Sequence, residues 1–110
     1  REVLFTGPHS QLVVMALKPG EDIGLETHPD TDQFIRVEEG IGRAVIGGQA
    51  YQLEDGSAIV IPAGVEHNVI NTAVDETLKL YTVYTPPEHP DGTVHKTKAE
   101  AEAYEREHHH

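Results

Sequence analysis

The chain has 110 residues, 37% of them hydrophobic and 25% charged, which predicts one small globular domain. Its formal net charge is −11, and 19 acidic residues against 8 lysines and arginines disfavour a nucleic-acid partner or an anionic membrane surface. Cysteine is absent, which excludes disulfides and thiolate metal sites, and neither an apolar run of about 20 residues nor a signal-peptide pattern occurs, so we expect a cytoplasmic protein.

Short apolar or alternating runs, separated by Gly, Pro, Asn and Asp, predict about eight β-strands. Gly47 and Gly48 lie between two of these runs and predict a two-residue hairpin, because glycine tolerates the positive φ that such turns require. Strands this short and evenly spaced are typical of an all-β barrel or sandwich, which we assign to residues 1–85. The predicted strands are Gln11–Leu17, Glu21–His28 (the weakest), Gln33–Glu38, Arg43–Ile46, Gln49–Leu53, Ser57–Ile61, His67–Asn71 and Leu78–Thr85.

Residues 86–107 have a different composition from the strands. The segment "PPEHPDG" contains three prolines and a glycine, which predicts an irregular arm. Thr97 and Glu100 then form a capping box before "KAEAEAYERE", which has the composition of a short C-terminal helix. Residues 108–110 are histidines and are interpreted as the remnant of an expression tag, with a native metal-binding tail as the alternative.

Two histidines of the arm, His89 and His95, allow two interpretations. We expect the arm to pack on the outside of the barrel or on a second subunit. The alternative is that it crosses the mouth of the barrel and places one of these histidines near a substrate. His9, near the amino terminus, is expected at the surface.

Polar residues at fixed spacing in two blocks carry the candidate chemistry. The first block, "GEDIGLETHPDTDQFIRVEEG" from Gly20 to Gly40, contains Glu26, His28 and Gln33. Residues two apart in a strand share a face, so Glu26 and His28 point the same way. By the same alternation Gln33 shares a face with two apolar residues, Ile35 and Val37, and we therefore expect Gln33 rather than Asp32 to face the interior.

The second block, "GSAIVIPAGVEHNVIN" from Gly56 to Asn71, delivers one more histidine to the same interior. Pro62 and Gly64 predict a bend directly before His67. His67, Val69 and Asn71 share one face, with Asn71 expected as a structural amide rather than a ligand. Further core or pocket-wall residues are expected at Met15, Tyr51, Tyr81 and Tyr84.

These blocks resemble the paired motifs of the cupin superfamily, G-x5-H-x-H-x3,4-E-x6-G and G-x5-P-x-G-x2-H-x3-N. The second block matches at every fixed position. The first matches in spacing, with Glu26 in place of the first histidine and Gln33 in place of the glutamate. The resemblance implies a small single-domain cupin of the cupin 2 type, similar to phosphomannose-isomerase-like barrels, with a jelly-roll β-barrel and a short C-terminal helix.

The resemblance also implies that Glu26, His28, Gln33 and His67 converge inside the barrel and bind one divalent metal ion: Fe, Mn, Ni, Zn or Cu. Two imidazoles and one carboxylate with open positions suit a non-haem Fe(II) site or a catalytic Zn site. Gln33 would be a weak neutral ligand or would hydrogen-bond a bound water or substrate. The alternative is a barrel whose polar interior is hydrogen-bonded or hydrated without metal.

For function, we expect a metal-dependent enzyme that acts on a small polar molecule, with oxygenase, lyase and sugar-isomerase chemistry all open and no catalytic residue assigned. The first alternative is a non-catalytic module that binds a small ligand or senses a metal. The second is a structural dimerisation domain. A homodimer is expected in each case, because cupin barrels commonly cover their exposed strand edges by pairing.

Overall fold

The structure, a computed structural model, describes residues 1–88, all of whose regular elements are β-strands. The predicted C-terminal helix, most of the predicted arm and the terminal histidines lie outside the described residues. No helix within residues 1–88 is long and apolar enough to cross a membrane. The strands are β1 (Glu2–Thr6), β2 (Gln11–Leu17), β3 (Asp32–Glu39), β4 (Gly42–Ile46), β5 (Gln49–Leu53), β6 (Ala58–Ile61), β7 (His67–Asn71) and β8 (Leu78–Thr85).

The strands form two antiparallel sheets. The first has five strands in the order β1-β2-β8-β3-β6, and the second has three in the order β5-β4-β7. The hairpin between β4 and β5 is the predicted one, and φ is 56° at Gly47 and 84° at Gly48. The all-β prediction is therefore confirmed for the described residues.

One hydrophobic core lies between the sheets and takes residues from both. Burial alternates along β2 and β7 as the sequence predicts, with every second side chain turned inward. Most of the core side chains are aliphatic. The buried apolar residues are Val3, Val13, Met15, Leu17, Ile35, Val37, Ala44, Leu53, Ile61, Val69, Leu78, Leu80 and Tyr84.

Two parts of the chain differ from the sequence-based expectation. Residues 2–6 form a strand that was not predicted, paired with β2 at the edge of the larger sheet. The weakly predicted strand at residues 21–28 is instead an irregular segment with two isolated bridges to β7, Asp22 with Ile70 and Glu26 with His67. This segment contains Gly24 at a φ of 87°, a conformation that a regular strand does not use.

Candidate metal site

Three predicted ligands meet beside β7. Glu26 faces His67 across an antiparallel bridge, and each residue donates its main-chain N–H to the other's carbonyl oxygen at 2.9 Å. His28 lies two residues further along the same segment and is buried, as is His67. The potential ligand atoms of Glu26, His28 and His67 all lie within 4.8 Å of one another.

The ring of His67 is held in one tautomer by the main chain. Its Nδ1 lies 2.9 Å from the carbonyl oxygen of Val65, which can only accept, so Nδ1 carries the proton and the lone pair is on Nε2. Nε2 is buried and has no hydrogen-bond partner among residues 1–88. Burial lowers the pKa of His67 from its ordinary 6.5, the hydrogen bond to Val65 raises it by less, and the neighbouring His28 lowers it again. The neutral form, which can bind a metal, is therefore favoured.

The turn before β7 connects the two histidines. Val65 donates its main-chain N–H to the carbonyl of Pro62 at 3.2 Å, and Gly64 donates to the carbonyl of His28 at 2.8 Å. Gly64 has a φ of 82°, so a glycine suits this position. The bend that the sequence predicts at Pro62 and Gly64 thus places His67 and anchors the backbone of His28.

The Nδ1 atom of His28 is hydrogen-bonded to a side-chain carboxylate, whereas Nδ1 of His67 is hydrogen-bonded to a main-chain carbonyl. Its Nδ1 lies 2.9 Å from Oε1 of Glu88, and Oε2 of Glu88 accepts a hydrogen bond from the Thr31 hydroxyl at 3.0 Å. The main-chain N–H of Glu88 donates to the side chain of Gln11 at 3.2 Å. An ionised carboxylate can only accept a hydrogen bond, so Nδ1 of His28 carries the proton when Glu88 is ionised. The lone pair of His28 is then on Nε2. This atom lies 3.9 Å from Oε1 of Glu26.

Arg1 contacts the same carboxylate, that of Glu26. Its Nη2 is 3.4 Å from Oε2 and 3.5 Å from Oε1 of that carboxylate. Only 5% of the Arg1 side chain and 10% of the Glu26 side chain is exposed, so the ion pair is largely shielded from solvent. The site therefore includes a buried positive charge as well as carboxylates.

Gln33 is buried on β3 and is connected to His28 through Tyr84. Its Nε2 donates to the Tyr84 hydroxyl at 3.3 Å, and the Tyr84 ring packs edge-on against the His28 ring with centroids 5.6 Å apart. Its Oε1 is buried and has no hydrogen-bond partner within the described part of the chain. The structure thus brings Glu26, His28 and His67 together directly, and places Gln33 next to Tyr84.

The comparisons with known proteins agree with this fold. The sequence model of the Cupin_2 family, a cupin domain, matches residues 13–84. The chain belongs to this cupin family. This cupin is 51% identical to BH2720 from Bacillus halodurans, whose crystal structure superposes with a TM-score of 0.90 over 94% of this chain and 82% of that one.

Two curated proteins are also similar to this cupin. Protein YrkC from Bacillus subtilis is 53% identical over 96% of this chain and 59% of its own length. Protein L612 from Acanthamoeba polyphaga mimivirus is 50% identical over 86% of this chain and 61% of its own length. The chain therefore spans about three fifths of the length of these relatives.

Several interior predictions are confirmed around the cupin site. Gln33 is buried and Asp32 is exposed, and Asn71 is buried with structural hydrogen bonds on its amide. His9 is exposed as expected. Tyr84 and Met15 are in the core, but the prediction for Tyr51 is wrong, since it is 45% exposed on the edge strand β5.

Arg1 and Glu88 are site residues that sequence reasoning missed. Arg1 directly precedes "EVLFT", which forms β1. The strand-forming residues of this stretch are the only sequence feature that indicates a fixed position for Arg1. Glu88 belongs to the proline-rich arm that we expected to pack outside the barrel, yet its side chain reaches the buried His28. His89 and His95 lie outside the described residues, so the role predicted for either of them has no structural counterpart here.

Proposed function

We propose that this cupin binds one divalent metal ion through Glu26, His28 and His67, and that it acts as a metal-dependent enzyme on a small polar molecule. The observation that carries the proposal is the buried Nε2 of His67, which has a lone pair and no hydrogen-bond partner within residues 1–88. A buried polar atom without a partner is costly, and a metal ion would satisfy it.

The ligand set is consistent with Fe, Mn, Ni, Zn or Cu. Two imidazoles and one carboxylate are the ligands of non-haem Fe(II) oxygenases and of some catalytic Zn sites. Histidine ligands of metal sites usually donate their second ring N–H to a carboxylate or a carbonyl, and Glu88 and Val65 provide these two acceptors. The outer contacts of both histidines therefore support the same assignment as the ligands themselves.

A bound divalent ion would supply Lewis-acid polarisation, or activation of water or dioxygen. Oxygenase, lyase and sugar-isomerase reactions all fit that chemistry, the last in line with the resemblance to phosphomannose-isomerase-like barrels. Among the protein groups, Glu26 supplies negative charge, while Val65 and Glu88 hold the imidazoles of His67 and His28 in their ligand tautomers. Arg1 adds a fixed positive charge beside Glu26.

Gln33 supports the alternative function, a non-catalytic module. Its buried Oε1 has no hydrogen-bond partner in residues 1–88, and an amide oxygen can act as a neutral metal ligand. A metal whose coordination positions are filled by protein groups would favour a non-catalytic module that senses a metal or a small ligand. An open position next to a pocket would favour the enzyme.

Elemental analysis tests the metal site directly. We would remove residues 108–110, purify the protein without chelators, and compare the wild type with the His67→Ala and His9→Ala variants. His9 is an exposed histidine and serves as the matched control. We expect a near-stoichiometric amount of one transition metal in the wild type and in His9→Ala, and none in His67→Ala. Full metal content in His67→Ala, or none in the wild type even after reconstitution, would reject the proposed site.

A further inference from the structure

The outer face of the five-stranded sheet carries a continuous row of apolar side chains. Each strand contributes one residue, and each residue pairs directly with the next across the sheet. The five residues, which we call the apolar row, are Phe5, Leu12, Val83, Phe34 and Val60 in the order of the strands. The sequence neighbours Val13, Ile35 and Ile61 are buried in the core, so by strand alternation the row faces away from the core.

The described chain leaves this row partly open. Phe5 at one end is 65% exposed and Val60 at the other end is 62% exposed, and the three residues between them are half-buried. Tyr81 lies beside the row with its ring centroid 6.3 Å from that of Phe34, which widens the apolar surface. A contiguous apolar surface of this kind on a small domain marks an interaction site.

We propose that this face binds the same face of a second copy of the chain, with the apolar row of one copy packed on that of the other. The twofold axis would run along the row, so that the strands of the two copies point in opposite directions. This arrangement joins sheet faces rather than the strand edges expected from the sequence. It does not depend on the proposed metal site.

Charged residues on either side of the row make the face complementary to itself. On β3, Asp32 lies two residues before Phe34 and Arg36 lies two residues after it, so strand alternation places all three on the outer face. Rotation by 180° about the row exchanges the positions of Asp32 and Arg36. Each copy would therefore place its Arg36 over Asp32 of the other copy, and two ion pairs would flank the apolar contact.

Both members of this pair have hydrogen-bonding capacity for it. Arg36 is half-buried, and its Nε has no hydrogen-bond partner among residues 1–88. Asp32 is exposed and accepts a hydrogen bond through Oδ1 from the main-chain N–H of Ala63 at 2.8 Å. Its second carboxylate oxygen can accept from a guanidinium.

The face is large enough for a specific pair. Five strands about 4.8 Å apart and about six residues long cover about 24 Å by about 20 Å. Two copies would therefore bury about 1,000 Å² in total, which is the size that a specific interface requires. Area and charge pattern thus both fit a second copy.

The rest of this chain fits the face less well. Residues 89–110 contain only two large apolar side chains, Val94 and Tyr104, whereas the apolar row contains five. Glu88, the last described residue, directs its side chain to His28, which is buried on the interior side of the sheet. A mostly polar segment would bury little apolar area on the row.

Sedimentation equilibrium of the full chain from about 1 to about 100 μM tests the proposal. We expect a dimer in the wild type. Val60→Glu should raise the dimer Kd about 100-fold, because each dimer would bury two unpaired carboxylates. The matched control is Val74→Glu, which changes a residue that is 91% exposed outside the strands and should leave the Kd unchanged.

A charge exchange between positions 32 and 36 tests the axis. Asp32→Arg and Arg36→Glu each place like charges over one another, so either variant alone should have a dimer Kd raised about tenfold. An equimolar mixture of the two variants should form a heterodimer with a Kd near that of the wild type, because opposite charges then face each other at both pairs. Urea denaturation would establish that each variant is folded.

A wild type that is monomeric at about 100 μM, or a dimer that Val60→Glu leaves unchanged, would overturn the inference. A monomeric wild type whose free energy of unfolding falls in Val60→Glu but not in Val74→Glu would assign the row to another segment of the same chain, and this would also overturn it. Two folded charge variants whose mixture associates no better than either alone would overturn the arrangement about the row.

Discussion

The two histidines of the site differ in the group that accepts their Nδ1 proton. His67 donates to the main-chain carbonyl of Val65, which no substitution removes, whereas His28 is paired with the carboxylate of Glu88. A carboxylate partner fixes the orientation of the ring and raises its basicity as a ligand. At the proposed metal site, Glu88 is therefore a residue whose replacement should change metal affinity while all three ligands are kept.

Replacement of Glu88 should weaken metal binding, and the effect should be larger if the new side chain cannot accept the hydrogen bond from His28. We expect Glu88→Ala to lower the Co²⁺ affinity by about 10–100-fold, and Glu88→Gln to lower it less, because its amide oxygen can still accept from His28. Competition with a coloured chelator would measure both. The control is Glu39→Ala, which removes an exposed carboxylate paired with Lys79. Wild-type affinity in Glu88→Ala would show that His28 does not depend on Glu88.

The predictability of individual site residues depends on how far apart they lie in the chain. Glu26, His28 and His67 could be predicted because strand alternation and motif spacing act over a few residues. Arg1 is 25 positions from its partner Glu26, and Glu88 is 60 positions from His28. Only the completed fold brings such pairs together, and no local pattern at either residue indicates its partner.

At the scale of elements, β7 holds the site in place through its last residue as well as its first. Asn71 donates from Nδ2 to the carbonyls of Leu17 at 2.9 Å and Glu76 at 2.8 Å, and its Oδ1 accepts from the N–H of Ala73 at 2.9 Å. The amide therefore links the end of β7 to the end of β2 and to the following turn. All of these partners are main-chain groups.

Loss of this amide should destabilise the whole domain. We expect Asn71→Ala to lower the free energy of unfolding by about 3 kcal/mol, because three hydrogen bonds are lost and buried main-chain groups are left without partners. Urea denaturation of the metal-free protein measures this change. The matched control is Asn68→Ala, a half-buried amide on the same strand with a longer bond to Asp22 at 3.3 Å, which should cost less. Equal losses would contradict the anchoring role.

Most of the strands were predictable, and the exceptions have physical causes. Alternating runs with flanking glycines or prolines indicate β2 to β8 to within a residue or two at each end. β1 forms only by pairing with β2, and two of its large apolar residues, Leu4 and Phe5, are exposed, so the alternation that signals a half-buried strand is missing. The segment at 21–28 has the composition of a weak strand, but Gly24 interrupts it.

At the scale of the whole molecule, the site lies where distant parts of the described chain meet. The irregular segment and β7 supply Glu26, His28 and His67, while β3 and β8 supply Gln33 and Tyr84. Arg1 precedes β1 and Glu88 follows β8. Folding of both sheets is therefore required before the site is complete, and its protonation is linked to the stability of the domain.

This linkage should appear as a pH dependence of the stability of the metal-free protein. The pKa of His67 is lower in the folded protein than its ordinary value of 6.5, which applies to the unfolded chain. At a pH between these two pKa values, the unfolded chain binds a proton that the folded protein does not. The free energy of unfolding should therefore fall as the pH decreases through this window.

Urea denaturation at about pH 7.5 and about pH 5.5 would measure this effect in the wild type, in His67→Gln and in His9→Gln as the exposed control. We expect the decrease in stability to be smaller in His67→Gln than in the wild type, and unchanged in His9→Gln. An identical decrease in the wild type and His67→Gln would show that His67 is not the group responsible.

The bridge between Glu26 and His67 makes the site depend on the length of one short segment. The two bridges at residues 22 and 26 fix the register of this segment against β7. Side chains alternate across an extended chain, so a slip of one residue against β7 would turn the carboxylate at position 26 away from His67. Leu25 is 64% exposed and its identity can vary at little cost. A single inserted or deleted residue between positions 22 and 26 would separate the carboxylate from the His67 imidazole and leave the two sheets intact.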